Sequence, residues 1–180
     1  MADLTNFNPA IVKTAYSAAE WTQKEEWYTN SLVEIVPSEN PTPAYSQAML
    51  VKLDAVATVA NLDAARVITN FENYKKILEI EESRMRITVQ NSQMTVGKKD
   101  PAKLTVNDID SLVTECIAMK PWNGNKRTLY EIIAECRSRA NFMKNVQSII
   151  QMKISEFVTT SANIKSEIAL NGMTPSVPRD

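Results

Sequence analysis

The sequence predicts an all-α protein, an elongated helical hairpin or bundle with two long, coiled-coil-like helices. Three observations lead to this prediction. The chain has 180 residues but only three glycines. The stretch from Ala44 to Val96 contains no glycine and no proline. Apolar residues recur in that stretch at alternating steps of four and three, which is the spacing of a heptad seam on one long helix. Such a narrow seam has to pack on another helix, so we also expect an oligomer.

Residues 1–43 are predicted to form an acidic N-terminal helix and a proline-rich linker. Pro9 fits the first turn of a helix that runs to about Asn30, and the linker is marked by Pro37, Pro41 and Pro43. Six acids stand against two lysines in this segment, a local charge of −4. Two interpretations stay open. The helix packs on the bundle with its acids in water, or it is an arm that docks on a basic partner or on the protein's own basic surface.

The main helical bundle is predicted over residues 44–172, and the long helix is its first element. About 50 helical residues span roughly 75 Å, which is too long for a compact globule of this size. We expect the helix to stop at Gly97. A polar break at Glu81 interrupts its seam, whose expected members are Leu53, Ala57, Ala60, Ala64, Val67, Phe71, Tyr74, Leu78 and Met85.

A short helix is predicted next, from Val106 to about Met119. Thr105 is a suitable N-cap residue, and Asp108 follows it by three positions, as a capping box requires. Pro121 ends this helix, and the residues around Trp122 and Gly124 form a polar turn.

The second long helix is predicted from Leu129 to Leu170. Thr128 and Glu131 form a capping box at its start, and Gly172 ends it as a left-handed cap. Residues 173–180 are predicted to be a disordered tail. A second heptad seam follows this helix, at Ile133, Cys136, Ala140, Met143, Gln147, Ile150, Ile154, Phe157, Ser161, Ile164 and Ile168.

The composition excludes several classes of function. The chain has no histidine, which removes histidine general bases, Ser/His and Cys/His nucleophile pairs and most zinc sites. Cys116 and Cys136 are expected to be reduced, buried thiols. We therefore expect no enzyme, no metal site and no cofactor. There is no signal peptide and no run of about 18 apolar residues, so we expect a soluble cytoplasmic protein that spans no membrane, in the infected host cell if the chain is phage-encoded.

Positive charge is concentrated in two segments, although the formal net charge is only −1. The segment from Arg84 to Lys103 has a local charge of +4, and the segment from Lys126 to Lys144 has a local charge of +3. If the two long helices pack antiparallel, both segments lie toward one end of the bundle and offer phosphates a basic surface. The candidate DNA-binding residues are Arg84, Arg86, Lys98, Lys99, Lys126, Arg127, Arg137, Arg139 and Lys144.

Trp122 lies between the two basic segments and is a further candidate, since an indole can stack on an unpaired base. Each candidate also has a simpler interpretation. Long helices need solvated lysines and arginines that alternate with acids, and Trp122 can close the end of the bundle as an apolar plug.

The layout resembles the recombination mediator proteins of T4-type bacteriophages over about residues 70–155. The matching pieces are Arg84-Met85-Arg86, Gly97-Lys98-Lys99-Asp100, the short helix, and Leu129-Tyr130-Glu131-Ile132-Ile133 followed by Arg139 and Lys144-Asn145. The resemblance implies a ring-like oligomer that binds single-stranded DNA, displaces single-strand-binding protein and loads a RecA-like recombinase. Arg84 and Arg86 would then contact the DNA backbone.

Two hypotheses of function follow. The first is a non-enzymatic oligomeric protein that binds single-stranded DNA and assists recombinase loading. The alternative is a helical structural or assembly protein of a virion, a neck, packaging or scaffold component, which acts through protein–protein contacts. The two hypotheses differ in one respect that can be measured, because only the first requires salt-sensitive binding to bare DNA.

Overall fold

The computed structural model describes residues 16–39, 41–91, 104–122, 124 and 126–172, and this part of the chain is all-helical. No strand occurs in it. Its four helices are α1 (Ala18–Val33), α2 (Pro43–Asn91), α3 (Val106–Met119) and α4 (Leu129–Gly172). The prediction of an all-α protein is confirmed.

Helix α1 begins later than the sequence analysis predicted. Its N-cap is Ser17, whose hydroxyl oxygen accepts a hydrogen bond from the Glu20 backbone N–H at 3.2 Å, while Glu20 Oε2 accepts one from the Ser17 N–H at 2.7 Å. This capping box fixes the start of the helix at Ala18, because it satisfies backbone donors that no preceding turn can serve. The expected start at Pro9 lies outside the described residues.

The two capping boxes predicted for α3 and α4 are confirmed. Thr105 and Asp108 exchange side-chain and backbone hydrogen bonds at the start of α3. At the start of α4, the Thr128 N–H donates to Glu131 Oε2 at 2.7 Å, and the Glu131 N–H donates to Thr128 Oγ1 at 3.3 Å. The bounds of α3 agree with the prediction, and α4 continues two residues beyond the predicted end, through Gly172.

The buried positions of α2 keep the heptad spacing, but of the four positions expected at every second step only Ala64 is buried. Ala57, Phe71 and Leu78 are only half-buried. The residues that directly precede those four positions are all buried, namely Val56, Asp63, Asn70 and Ile77. The prediction was wrong at Ala57, Phe71 and Leu78. Asp63 and Asn70 are polar, so a search for apolar residues moved the seam by one position. The end expected at Gly97 falls outside the described residues.

The seam predicted for α4 agrees better with the structure. Six of its eleven expected members are buried, namely Ile133, Cys136, Ala140, Met143, Ile150 and Phe157. Four more are half-buried: Gln147, Ile154, Ser161 and Ile164. The last member, Ile168, is 59% exposed.

The described chain packs as two compact units, and both long helices contribute to each of them. The first unit comprises the described residues between 66 and 141. Asn70 Nδ2 donates to Cys136 Sγ at 3.3 Å, and the Tyr130 hydroxyl donates to Glu82 Oε1 at 3.4 Å. Since residue numbers rise along α2 as they fall along α4, the two helices are antiparallel within this unit. Its core contains Tyr74, Ile77, Val89, Val113, Ile117, Leu129, Ile133 and Cys136.

The second unit comprises residues 16–65 and 142–172. Helix α1 packs in this unit, with the Trp21 ring edge-on to Phe142 at a centroid distance of 5.7 Å. The segment after α1 is held by Lys153, whose Nζ donates to the Ile35 carbonyl at 2.6 Å. The core of the unit is formed by Trp21, Tyr28, Leu32, Ile35, Met49, Leu53, Val56, Ala60, Met143, Val146, Ile150 and Phe157.

Candidate functional site

The arginines near the end of α2 are both paired with carboxylates. Arg84 Nη1 lies 3.0 Å from Glu81 Oε1, one turn earlier on the same helix. Arg86 forms an ion pair with Asp110 of α3. Each arginine side chain is about half exposed, so these pairs are of the weak, solvated kind that contributes about 0.2–1 kcal/mol. To bind either arginine, a phosphate would have to displace the adjacent carboxylate or bind beside it against charge repulsion.

Glu135 of α4 pairs with two further candidates, Arg127 and Arg139. Arg127 also donates from Nη2 to the Glu131 carbonyl at 3.1 Å. The hydrogen bond to Glu135 raises the pKa of the Arg127 guanidinium above its ordinary value. The side chain of Arg139 is only 10% exposed, which leaves little of it open to a ligand.

The remaining basic candidates that the structure describes lack such partners. Lys126, Arg137 and Lys144 are exposed, and none of them forms an ion pair within the part of the chain that the structure describes. The guanidinium of Arg137 lies over the Phe71 ring, 5.9 Å from its centroid.

The first unit therefore contains most of the predicted basic surface. It brings together Arg84, Arg86, Trp122, Lys126, Arg127, Arg137 and Arg139, whereas Lys144 belongs to the second unit. The antiparallel contact between Tyr130 and Glu82 brings the end of α2 beside the start of α4, as the prediction required. Lys98 and Lys99 lie outside the described residues.

Trp122 packs against the core of the first unit. Its ring stands edge-on to Tyr74, with a centroid distance of 5.8 Å, and its backbone N–H donates to the Arg127 carbonyl at 3.0 Å. Gly124, in the same turn, has a φ of 76°, a conformation that glycine adopts without strain. The half-buried Trp122 ring also lines a small pocket of about 60 Å³ together with Met85 and Cys116. These contacts fit the interpretation of Trp122 as a plug.

A polar cluster that the sequence analysis missed lies in the second unit. Asp63 is 2% exposed, and its carboxylate accepts hydrogen bonds from Lys24 Nζ at 2.7 Å, from the Tyr28 hydroxyl at 2.8 Å and from the Tyr16 hydroxyl. The signal in the sequence was Asp63 itself, a polar residue that continues the heptad spacing of Val56 and Ala60 toward Val67. Sequence spacing alone could not supply its partners, because all three come from the segment around α1.

The environment of Asp63 keeps its carboxylate charged. Burial alone would raise the pKa of Asp63, but the hydrogen bonds from Lys24, Tyr16 and Tyr28 outweigh burial and lower the pKa below its ordinary value of 3.8. Burial and the hydrogen bond to Asp63 raise the pKa of Tyr28, so its phenol stays protonated. This arrangement attaches α1 to α2, since a buried carboxylate with three donors is stable only while all of them stay in place.

The described residues contain neither a group of three or more metal-ligating side chains nor a helix long and apolar enough to cross a bilayer. Both cysteines are free thiols. Burial raises the pKa of the Cys136 thiol, which makes this residue a poor nucleophile.

Comparisons with protein-family models, with curated protein sequences and with solved structures found no match to this chain. The fold and the candidate site define the chain as an all-helical protein with two long helices, an ion-paired cluster of arginines and a buried carboxylate.

Proposed function

We propose that this chain is a non-enzymatic helical assembly protein that acts through contacts between helices, as virion neck, packaging or scaffold components do. The observation that carries the proposal is the end of α4. The heptad seam of that helix continues to Ile168, which is 59% exposed. An apolar seam that none of the described residues fully covers at its end is suited to packing on a second helix.

Other exposed apolar side chains support this proposal. Val51, Leu62, Met152 and Val158 are all more than half exposed. Scattered apolar side chains are ordinary on a protein surface, but these four all lie on the two long helices of the second unit. The arginine ion pairs also support the assembly proposal. Carboxylates of the same chain already neutralise several of the arginines that DNA phosphates would need to contact.

Sedimentation of the purified protein tests this proposal. We expect a mass that rises with protein concentration above the 20.2 kDa of one chain. Ile168→Lys should lower the mass, because a charge cannot be buried unpaired in a helix interface. Gln151→Lys, which adds the same charge at an exposed position of α4, should leave it unchanged. A wild-type protein that stays monomeric at every concentration would refute the proposal.

Single-stranded DNA binding is the second candidate function, with the role in recombinase loading that the resemblance implies. It is favoured by Lys126 and Arg137, which are exposed cations of the first unit. The ion pairs of Arg84, Arg86 and Arg127 are also exposed enough for phosphates to compete with their carboxylates. Repeated around an oligomer, weak phosphate contacts of this kind add through multivalency.

Fluorescence anisotropy with labelled oligo-dT tests the second candidate. If it is right, the affinity falls steeply as salt rises, because each phosphate contact releases counterions. Arg84→Ala combined with Arg86→Ala should then weaken binding without unfolding the protein, since both side chains are about half exposed. Binding that ignores salt, or no binding at low salt, would exclude this function.

A further inference from the structure

An open groove lies between α1 and α2 in the second unit. Its volume is about 380 Å³, within the range of protein binding pockets. Five residues from α1 and the turn before it line one wall, and Val59 of α2 lines the other. The five residues are Tyr16, Glu20, Gln23, Lys24 and Trp27.

The α1 wall of the groove presents a large aromatic ring to solvent. Trp27 is 41% exposed, yet its position is fixed. Its ring stands edge-on to Tyr28 at a centroid distance of 4.8 Å, and Tyr28 is fully buried and bonded to Asp63. An exposed indole on a buried support loses little conformational freedom on binding, which is characteristic of residues that dominate protein interfaces.

Exposed apolar side chains continue along α2 before and after Val59. Leu62 follows Val59 by one turn and is 60% exposed, and Val51, two turns before Val59, is 61% exposed. The spacing of these three residues places them along one side of the helix. Val59 is thus part of an exposed apolar side of α2, which suits the apolar face of a helix.

The charge around the groove is negative. Lys24 is the one basic residue among described residues 16–39, which also contain five glutamates. Its Nζ is paired with Asp63. Glu20 lines the groove, and the hydrogen bonds that it makes with Ser17 lower the pKa of its carboxyl. Lys52 and Arg66 of α2 stand one heptad before and after Val59, yet described residues 16–66 still hold seven acids against three bases. A partner that enters this groove therefore meets net negative charge.

We propose that the groove between α1 and α2 binds the apolar face of a basic amphipathic helix from a partner protein. An arginine or lysine of that helix lies over the Trp27 ring, as cations do on indoles, and pairs with Glu20. Apolar side chains of the partner cover Val59 and Leu62. This inference rests on the proposed function, because it names the class of partner that an assembly protein would recruit through its second unit.

Binding of two synthetic peptides tests the proposal. The first is a fluorescein-labelled amphipathic peptide with leucines along one face and lysines on the other. The second has glutamate in place of every lysine. We expect the basic peptide to bind with an affinity that falls as salt rises, and the acidic peptide not to bind. Equal binding of both peptides, or binding of neither, would overturn the proposal.

Substitutions in the groove locate the site. Trp27→Ala should weaken binding of the basic peptide at least about tenfold, the effect of losing a central aromatic contact. Leu62→Lys should weaken it as well, by repelling a cationic partner from an exposed position that does not affect folding. Met152→Ala removes a comparably exposed apolar side chain from α4 in the same unit and should have no effect.

Two outcomes would contradict the groove as the site. In one, Trp27→Ala and Met152→Ala weaken binding equally. In the other, Leu62→Lys binds like wild type. The proposed function is tested separately, because sedimentation of the chain alone involves no peptide. A chain that self-associates but binds neither peptide would overturn this inference and leave the assembly proposal standing.

Discussion

Replacing Asp63 by alanine is expected to lower the free energy of unfolding by about 3 kcal/mol, the lower end of the range for breaking a buried ion pair. The lower end applies because the Lys24 side chain is 31% exposed and can still be partly solvated. Most of the lost stability comes from Tyr28, which is fully buried and whose hydroxyl would be left without its hydrogen-bond acceptor. Since all three donors belong to the segment around α1, we expect α1 to separate from the second unit before the rest unfolds.

Urea denaturation followed by circular dichroism measures this effect, and hydrogen exchange of the α1 amides reports its location. Asp54→Ala is the matched control, because Asp54 is an exposed carboxylate on the same helix. It should change the free energy of unfolding by less than about 0.5 kcal/mol. Equal stability of the two variants would show that the polar cluster does not attach α1.

The pH dependence of stability gives a second measure of the same cluster. The folded pKa of Asp63 lies below the ordinary value of 3.8, so its contribution is present at pH values above 3.8 and is lost as the pH falls through the folded pKa. Asp63→Asn lacks this group and should therefore lose less stability than wild type as the pH falls below 3.8. Parallel pH profiles for the two proteins would contradict the assignment.

Truncation of Phe157 is the second large effect we expect. Phe157 is 2% exposed in the core of the second unit. Phe157→Ala removes a buried ring and leaves a cavity that a packed core fills only in part, which lowers the free energy of unfolding by about 3–5 kcal/mol. The measurement is again urea denaturation of the full chain.

The next residue along the chain supplies the control for this prediction. Val158 is 52% exposed, so Val158→Ala should change the free energy of unfolding by less than about 0.5 kcal/mol. Comparable losses at both positions would mean that α4 does not bury the predicted face. A large loss at Phe157 alone would confirm the register of the seam at that point.

Local signals in the sequence were sufficient to place most helix boundaries. The capping boxes at Thr105 and Thr128 depend on residues three positions apart, so the sequence contains all the information they need. The seam of α4 was equally readable, because apolar side chains occupy most of its buried positions. The start of α1 was readable too, since Ser17 and Glu20 show the same pattern, but Pro9 was preferred as the start signal.

Features that depend on tertiary contacts could not be predicted in the same way. Asp63 was not predicted to be buried, because burial of a carboxylate is favourable only when hydrogen-bond donors contact it. Its donors lie 35 to 47 residues away in sequence. The pair of Arg84 and Glu81 was foreseeable from i,i+3 spacing. The pair of Arg86 and Asp110 was not, because it depends on where α3 packs against α2.

Light scattering of the purified protein, with and without a short oligo-dT, tests most directly the central claim that this chain works through helix–helix contacts between proteins. We predict a mass above that of one chain, unchanged when the oligonucleotide is added. A monomeric mass without DNA would contradict the claim, and a complex that forms only when oligo-dT is present would contradict it and favour the DNA-binding function.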